Sequence, residues 1–155
     1  MTNPIESRLA EMGITLAAGP APAANYVPFV QVGDMLYVSG QISQNADGSF
    51  LTGKLGENME AEAGAKAAQS CAKSLLSQVK TALDGDLTRL VKVVKLTGFV
   101  NSTADFGDQP KVINGASDFF VEVLGDMGRH SRSAVSAASL PFGVAVEIEG
   151  IFQIT

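Results

Sequence analysis

The stretch Leu90 to Val100, LVKVVKLTGFV, limits the possible folds of this chain more than any other segment. It reads as one long strand, with Val91, Val93 and Phe99 on one side and Leu90, Val94, Leu96 and Val100 on the other. A strand that is apolar on both sides has to be covered on both sides. Helices packed on a sheet cover only one. The second face is therefore expected to meet a barrel interior or another subunit.

The elements around this strand follow from periodicity and punctuation. Asn3-Pro4-Ile5-Glu6 has the form of a helix start, with Asn3 as cap and Glu6 placed to reach back to it, and Gly13 ends a helix near residues 4–12. Residues 17–24, rich in Ala, Gly and Pro, read as extended loop. Val27–Val32 and Met35–Ile42 form a hairpin about Gly33-Asp34. A polar loop follows from Asn45 to Gly56. From Met59 to Leu83, apolar and small residues recur every three or four positions, predicting a long helix that sits close to a sheet. Asp108 and Pro110 open a second main helix, which Gly125 closes. Arg132–Ser139 and Val144–Ile154 are the last strands, joined across Leu140-Pro141-Phe142-Gly143. The order is helix, β-β, α, β, α, β-β. This predicts an α+β fold in which two main helices cover one face of a mixed sheet and a short N-terminal helix is added. The 155 residues contain no internal repeat and no linker, so one domain, 1–155, is expected: lead-in 1–26 and core 27–155.

Charged residues make up only 17% and hydrophobic ones 46%. That implies a large core or apolar surface covered by a partner. A net charge of −5 without a Lys/Arg cluster argues against nucleic acid. The single cysteine, Cys71, rules out an intrachain disulfide. The N-terminus lacks a cationic start followed by an apolar run, and no apolar stretch approaches the ~20 residues of a membrane span. A soluble, cytoplasmic protein is the expectation.

Arg132 starts a strand of small and apolar residues, where an unpaired charge is costly to bury. Two readings stay open: an internal ion pair with Glu147 or Glu149 (or exposure at the strand's start), and a donor fork for a ligand carboxylate. The Glu147 strand is expected to pair with that of Arg132. Arg132 lies further from the intervening turn, leaving room for a ligand or water between the two. Glu149 is an equal candidate on spacing. His130, the only histidine, falls in a loop beside Arg132, too far along the chain from Cys71 to suggest a nucleophilic pair or a zinc site. Cys71 falls on the apolar helix face. No phosphate-loop or dinucleotide motif occurs. Gly40, after Ser39, marks a bulge or a close approach of backbone to a ligand.

Val38-Ser39-Gly40-Gln41-Ile42, then Val93 to Val100, then Arg132-Ser133-Ala134-Val135, Leu140-Pro141 and Val146-Glu147-Ile148-Glu149, in this order, resemble the RidA/YjgF family of reactive-intermediate deaminases, once labelled L-PSP endoribonuclease. The resemblance spans roughly residues 27 to 154. It implies a chorismate-mutase-like fold and a homotrimer with clefts between subunits. It also implies cofactor-independent hydrolysis of reactive 2-imino and enamine acids to 2-keto acids and ammonia. Arg132 matches the family's carboxylate-binding arginine, and Glu147 the glutamate that positions the attacking water. Gly40 and the Ala134 backbone match groups lining the ligand. Phe29 stands where the deaminases have a tyrosine. Asn114 lies one residue out of register with the family's helix asparagine. Two alternatives are a non-catalytic protein that binds or senses a small carboxylate in the same cleft and, disfavoured by the acidic charge, an endoribonuclease or translation inhibitor.

Overall fold

The computed structural model describes residues 3–19 and 25–155. The part of the expected extended loop at 20–24 lies outside the described residues. Helix α1 (Pro4–Glu11) begins as its sequence dictates, with the Ile5 N–H donating to Asn3 Oδ1 at 2.9 Å. Glu6 does not return to the cap. It pairs with Lys80 Nζ at 2.7 Å and so ties α1 to the long helix.

Strands β1 (Phe29–Val32) and β2 (Met35–Ile42) form the hairpin, with Val32 opposite Met35 across Gly33-Asp34. Gly33 has φ +61, the left-handed conformation a two-residue turn needs. Helices α2 (Ala61–Ala82) and α3 (Gln109–Leu124) pack against each other and against one face of the sheet. Glycines let them approach: a Cβ at Gly115 would run into the Ala65 carbonyl, and one at Gly64 would press on Leu55 and Val112 at 3.0 Å. Strands β3 (Leu90–Asn101), β4 (Ser131–Ala137) and β5 (Val146–Ile154) complete a five-stranded mixed sheet, ordered β1-β2-β5-β3-β4. This is the chorismate-mutase-like arrangement.

Two expectations need correction. The strands carrying Arg132 and Glu147 do not pair. The crossover β3–α3–β4 returns the chain parallel to β3 and places β4 at the sheet edge, and β5 takes the other side of β3. The faces of β3 also differ from strict alternation. Register shifts against β5 between Leu90 and Lys92 and between Val93 and Lys95 turn Leu90, Val93, Leu96, Gly98 and Val100 all toward the helices. Val91 is left 37% exposed, and Val94 and Phe99 are half-buried.

The core lies between helices and sheet, around Leu75, Leu76, Phe119, Phe120 and Phe152. The other face of the sheet keeps Val30, Tyr37 and Val135 between 44% and 50% exposed. No helix among the described residues is long and apolar enough to cross a membrane.

Candidate functional site

Arg132 stands opposite Leu96 in the β3–β4 ladder and turns toward α3. Its Nη1 donates to Asn114 Oδ1 at 2.8 Å and to Ser117 Oγ at 3.0 Å, and its Nη2 to the Pro110 carbonyl at 3.4 Å. All three acceptors are neutral. No carboxylate among the described residues pairs with it. Both Nη1 hydrogens are taken, while Nε–H and one Nη2–H have no partner among the described residues. That edge is the fork that fits a carboxylate side-on. The internal ion pair with Glu147 or Glu149 does not form.

A chain of hydrogen bonds leads away from Arg132. His130 Nδ1 lies 2.6 Å from the Gly128 carbonyl, and Nε2 lies 2.9 Å from Ser117 Oγ. A carbonyl can only accept, so Nδ1 carries the proton of the neutral ring. Nε2 then accepts from the Ser117 hydroxyl, whose oxygen accepts from Arg132. Burial, followed by the Arg132 and Lys92 charges, holds the His130 pKa below its ordinary value despite the opposing Gly128 bond. These groups border a cavity of about 340 Å³ between α3 and β4. Ala134 lies two residues further along the same face, opposite Gly98, packed against the core.

Glu147 sits on β5 opposite Ile42 and Phe99. Its neighbours Val146 and Ile148 are buried under the helices, so Glu147 belongs to the alternate row. Facing it, Ser39 and Gly40 form a bulge in β2, where the register slips between Val38 and Gln41. A Cβ at Gly40 would lie 2.6 Å from Glu147 Oε1, so only glycine leaves the carboxylate this space. Burial, then the neighbouring charge of Glu149, pushes the Glu147 pKa up. Glu149 is exposed and does not border the cavity beside Glu147.

That cavity measures about 380 Å³, and Tyr26, Pro28, Ile42, Phe50 and Phe142 form its apolar wall. Phe29 is not part of the wall. It packs against the core opposite Val38, and Tyr26 takes the place at the cavity. Phe142 occupies φ +58 in the turn Leu140–Gly143, closed by the Gly143 N–H donating to the Leu140 carbonyl at 3.1 Å. With Pro141 before it, this is the turn position that glycine or asparagine ordinarily takes. An L residue held there is strained by about 1–2 kcal/mol.

The candidate residues thus fall into two groups. Arg132 and Asn114 meet at one cavity, Glu147 and Gly40 at another, with β3 between their strands. Within one chain Arg132 and Glu147 do not meet. Sequence reasoning placed His130 only in a nearby loop and did not single out Ser117, Tyr26, Phe50 or Phe142. An aromatic side chain at a turn position suited to glycine was the available signal for Phe142. Cys71 is buried on α2, donating to the Val146 carbonyl at 3.5 Å, with its thiol pKa pushed up by burial. Among the described residues no cluster of three or more His, Cys, Asp or Glu side chains could hold a metal.

Comparison with known proteins shows the family of the chain. The model of the family described as Endoribonuclease L-PSP matches residues 16–154. Protein TCP17 of Trypanosoma cruzi is 46% identical over 97% of this chain and 94% of its own. The 2-iminobutanoate/2-iminopropanoate deaminase of Escherichia coli K12 is 35% identical over 90% of this chain and 97% of its own. The crystal structure of Atu1372 from Agrobacterium tumefaciens, a protein of unknown function, superposes with a TM-score of 0.90 at 47% identity, covering 98% of this chain and 93% of that one. By these matches the chain belongs to the RidA/YjgF family, whose model carries the older description Endoribonuclease L-PSP.

Proposed function

We propose that the protein hydrolyses reactive 2-imino acids to 2-keto acids and ammonia, in a site shared between two copies of the chain. The observation that carries this reading is the Arg132 guanidinium, oriented by neutral acceptors and open along its Nε/Nη2 edge. The edge binds the substrate carboxylate in bidentate fashion. Glu147 of the second copy holds a water against the imine carbon. Its carboxylate takes a proton from that water as the C–O bond forms, then delivers it to the nitrogen. The carboxylate next takes the hydroxyl proton of the resulting carbinolamine and passes it to the nitrogen as the C–N bond breaks and the C=O bond forms, so that ammonia and the 2-keto acid leave. A raised pKa suits a group that must both accept and return a proton near neutrality. No cofactor enters these steps, because imines hydrolyse readily and positioning supplies most of what is needed.

The separation of Arg132 and Glu147 within one chain supports a shared site, as do the exposed Val30, Tyr37 and Val135 on the outer face of the sheet. Three copies packed through that face would form the homotrimer. The deaminase name of the Escherichia coli relative supports the chemistry.

Arg132→Ala is expected to lower kcat/KM for 2-iminopropanoate and 2-iminobutanoate, generated by a coupled dehydratase, by about a hundredfold or more. Wild-type protein that does not accelerate keto-acid release would contradict the proposal. A second reading rests on Phe29, which offers no hydroxyl and packs inward: a non-catalytic protein that binds small carboxylates. Arg132-dependent binding of 2-oxobutanoate without turnover would favour it.

A further inference from the structure

Phe50 and Phe142 take no part in the proposed chemistry, yet both border the cavity that holds Glu147. Phe50 comes from the loop after β2 and Phe142 from the turn before β5, and their rings stack with centroids 4.7 Å apart and planes at 19°. Neither belongs to the core, and they remain 47% and 64% exposed. Large aromatic side chains left this open contribute little to folding, and an exposed apolar patch of this kind marks a place where something binds. The backbone supports the same conclusion, since Phe142 sits at φ +58, where glycine would sit without strain. A strained residue that packs against nothing in the core has its ring at the cavity as its only structural engagement with the site.

The cavity itself points to the occupant. At about 380 Å³ it has the volume of about a dozen waters, far more than the smallest 2-keto acid fills. Glu147 stands at its wall. With the carboxylate on Arg132, the side chain borne by the carbon that the Glu147-bound water attacks has Phe50, Phe142, Tyr26 and Ile42 within its reach. Aromatic faces accept another ring in stacked or edge-on contact. The Glu147 carboxylate at the wall repels an acidic side chain.

We propose that the Phe50–Phe142 stack is the side-chain subsite, and that the preferred substrates are 2-imino acids bearing an aromatic or bulky apolar side chain. This rests on the reading of Arg132 and Glu147 as the carboxylate and water sites. The subsite is tested by calorimetric titration of the full chain with pyruvate and phenylpyruvate, using wild type, Phe142→Gly, Phe142→Leu and Arg132→Ala. Phenylpyruvate is expected to bind about ten- to a hundredfold tighter than pyruvate, as burial of one phenyl group implies. Phe142→Gly should bring that ratio to about one while keeping or raising the melting temperature, since glycine relieves the backbone. Phe142→Leu should give an intermediate ratio.

Phenylpyruvate binding no tighter than pyruvate, or a ratio that survives Phe142→Gly, would overturn the subsite. So would a Phe142→Gly variant that changes its association state in sedimentation with the ratio intact, because the stack would then belong to a contact between copies. If Arg132→Ala binds both acids as wild type does, the carboxylate reading falls, while a Phe142-dependent ratio still supports the subsite. If neither acid binds wild type, both fall.

Discussion

Arg132 meets only neutral oxygens on α3, and this decides what it can do. A guanidinium paired with Glu147 would be a structural tie. One held by Asn114 and Ser117 keeps its charge for an anion. Sequence alone could not separate these outcomes, because the choice depends on which face of β4 the residue occupies and on what α3 places above it. Asn114, one residue out of register with the family's helix asparagine, positions the arginine. His130 acts one step further out, through Ser117. Its pKa lies below the ordinary 6.5 in the folded chain, so the unfolded chain binds the proton more readily. Stability from the neutral ring is fully present above about pH 6.5. It is lost as pH falls from there through the folded-state pKa. Thermal melts from pH 7.5 to 5 should show wild type losing stability with acid more steeply than His130→Gln. Parallel slopes would show that the ring is not held neutral by the fold.

The secondary-structure elements were legible wherever one local rule decided them. The hairpin followed from Gly33-Asp34, the long helix from its spacing, and α3 from Asp108, Pro110 and Gly125. Bulges and partner choice were not legible in this way. Two register shifts in β3 move Val93 to the helix side against simple alternation, and no residue in that stretch announces them. The adjacency of the last two strands suggested that they pair, but the crossover through α3 sends β4 to the edge. The seam between α2 and α3 is set by glycine. Gly115→Ala should destabilise the fold by about 1–3 kcal/mol in chemical denaturation, because its methyl meets the Ala65 backbone and no flexible side chain can yield. An unchanged midpoint would mean that the helices can part without loss.

At the scale of the whole molecule, one observation orders the rest: the halves of the proposed site lie in separate cavities with β3 between their strands. The register of β3 turns most of its apolar side chains to the helices, and Val91, Val94 and Phe99 are left for other cover. The exposed Val30, Tyr37 and Val135 show where that cover is missing in one chain. A shared site would turn the outer face from a folding liability into the surface that brings Arg132 of one copy to Glu147 of the next.

Complementation tests this directly. Arg132→Ala and Glu147→Gln chains, each inactive alone, are unfolded together, refolded as mixed oligomers and assayed for keto-acid release from 2-iminopropanoate. If each site draws its arginine and its glutamate from different copies, about a quarter of the sites in an equal mixture are intact, and activity returns to about that fraction of wild type. If the mixture stays as inactive as its components while forming mixed oligomers, Arg132 and Glu147 do not act across an interface between copies, and the shared site is contradicted.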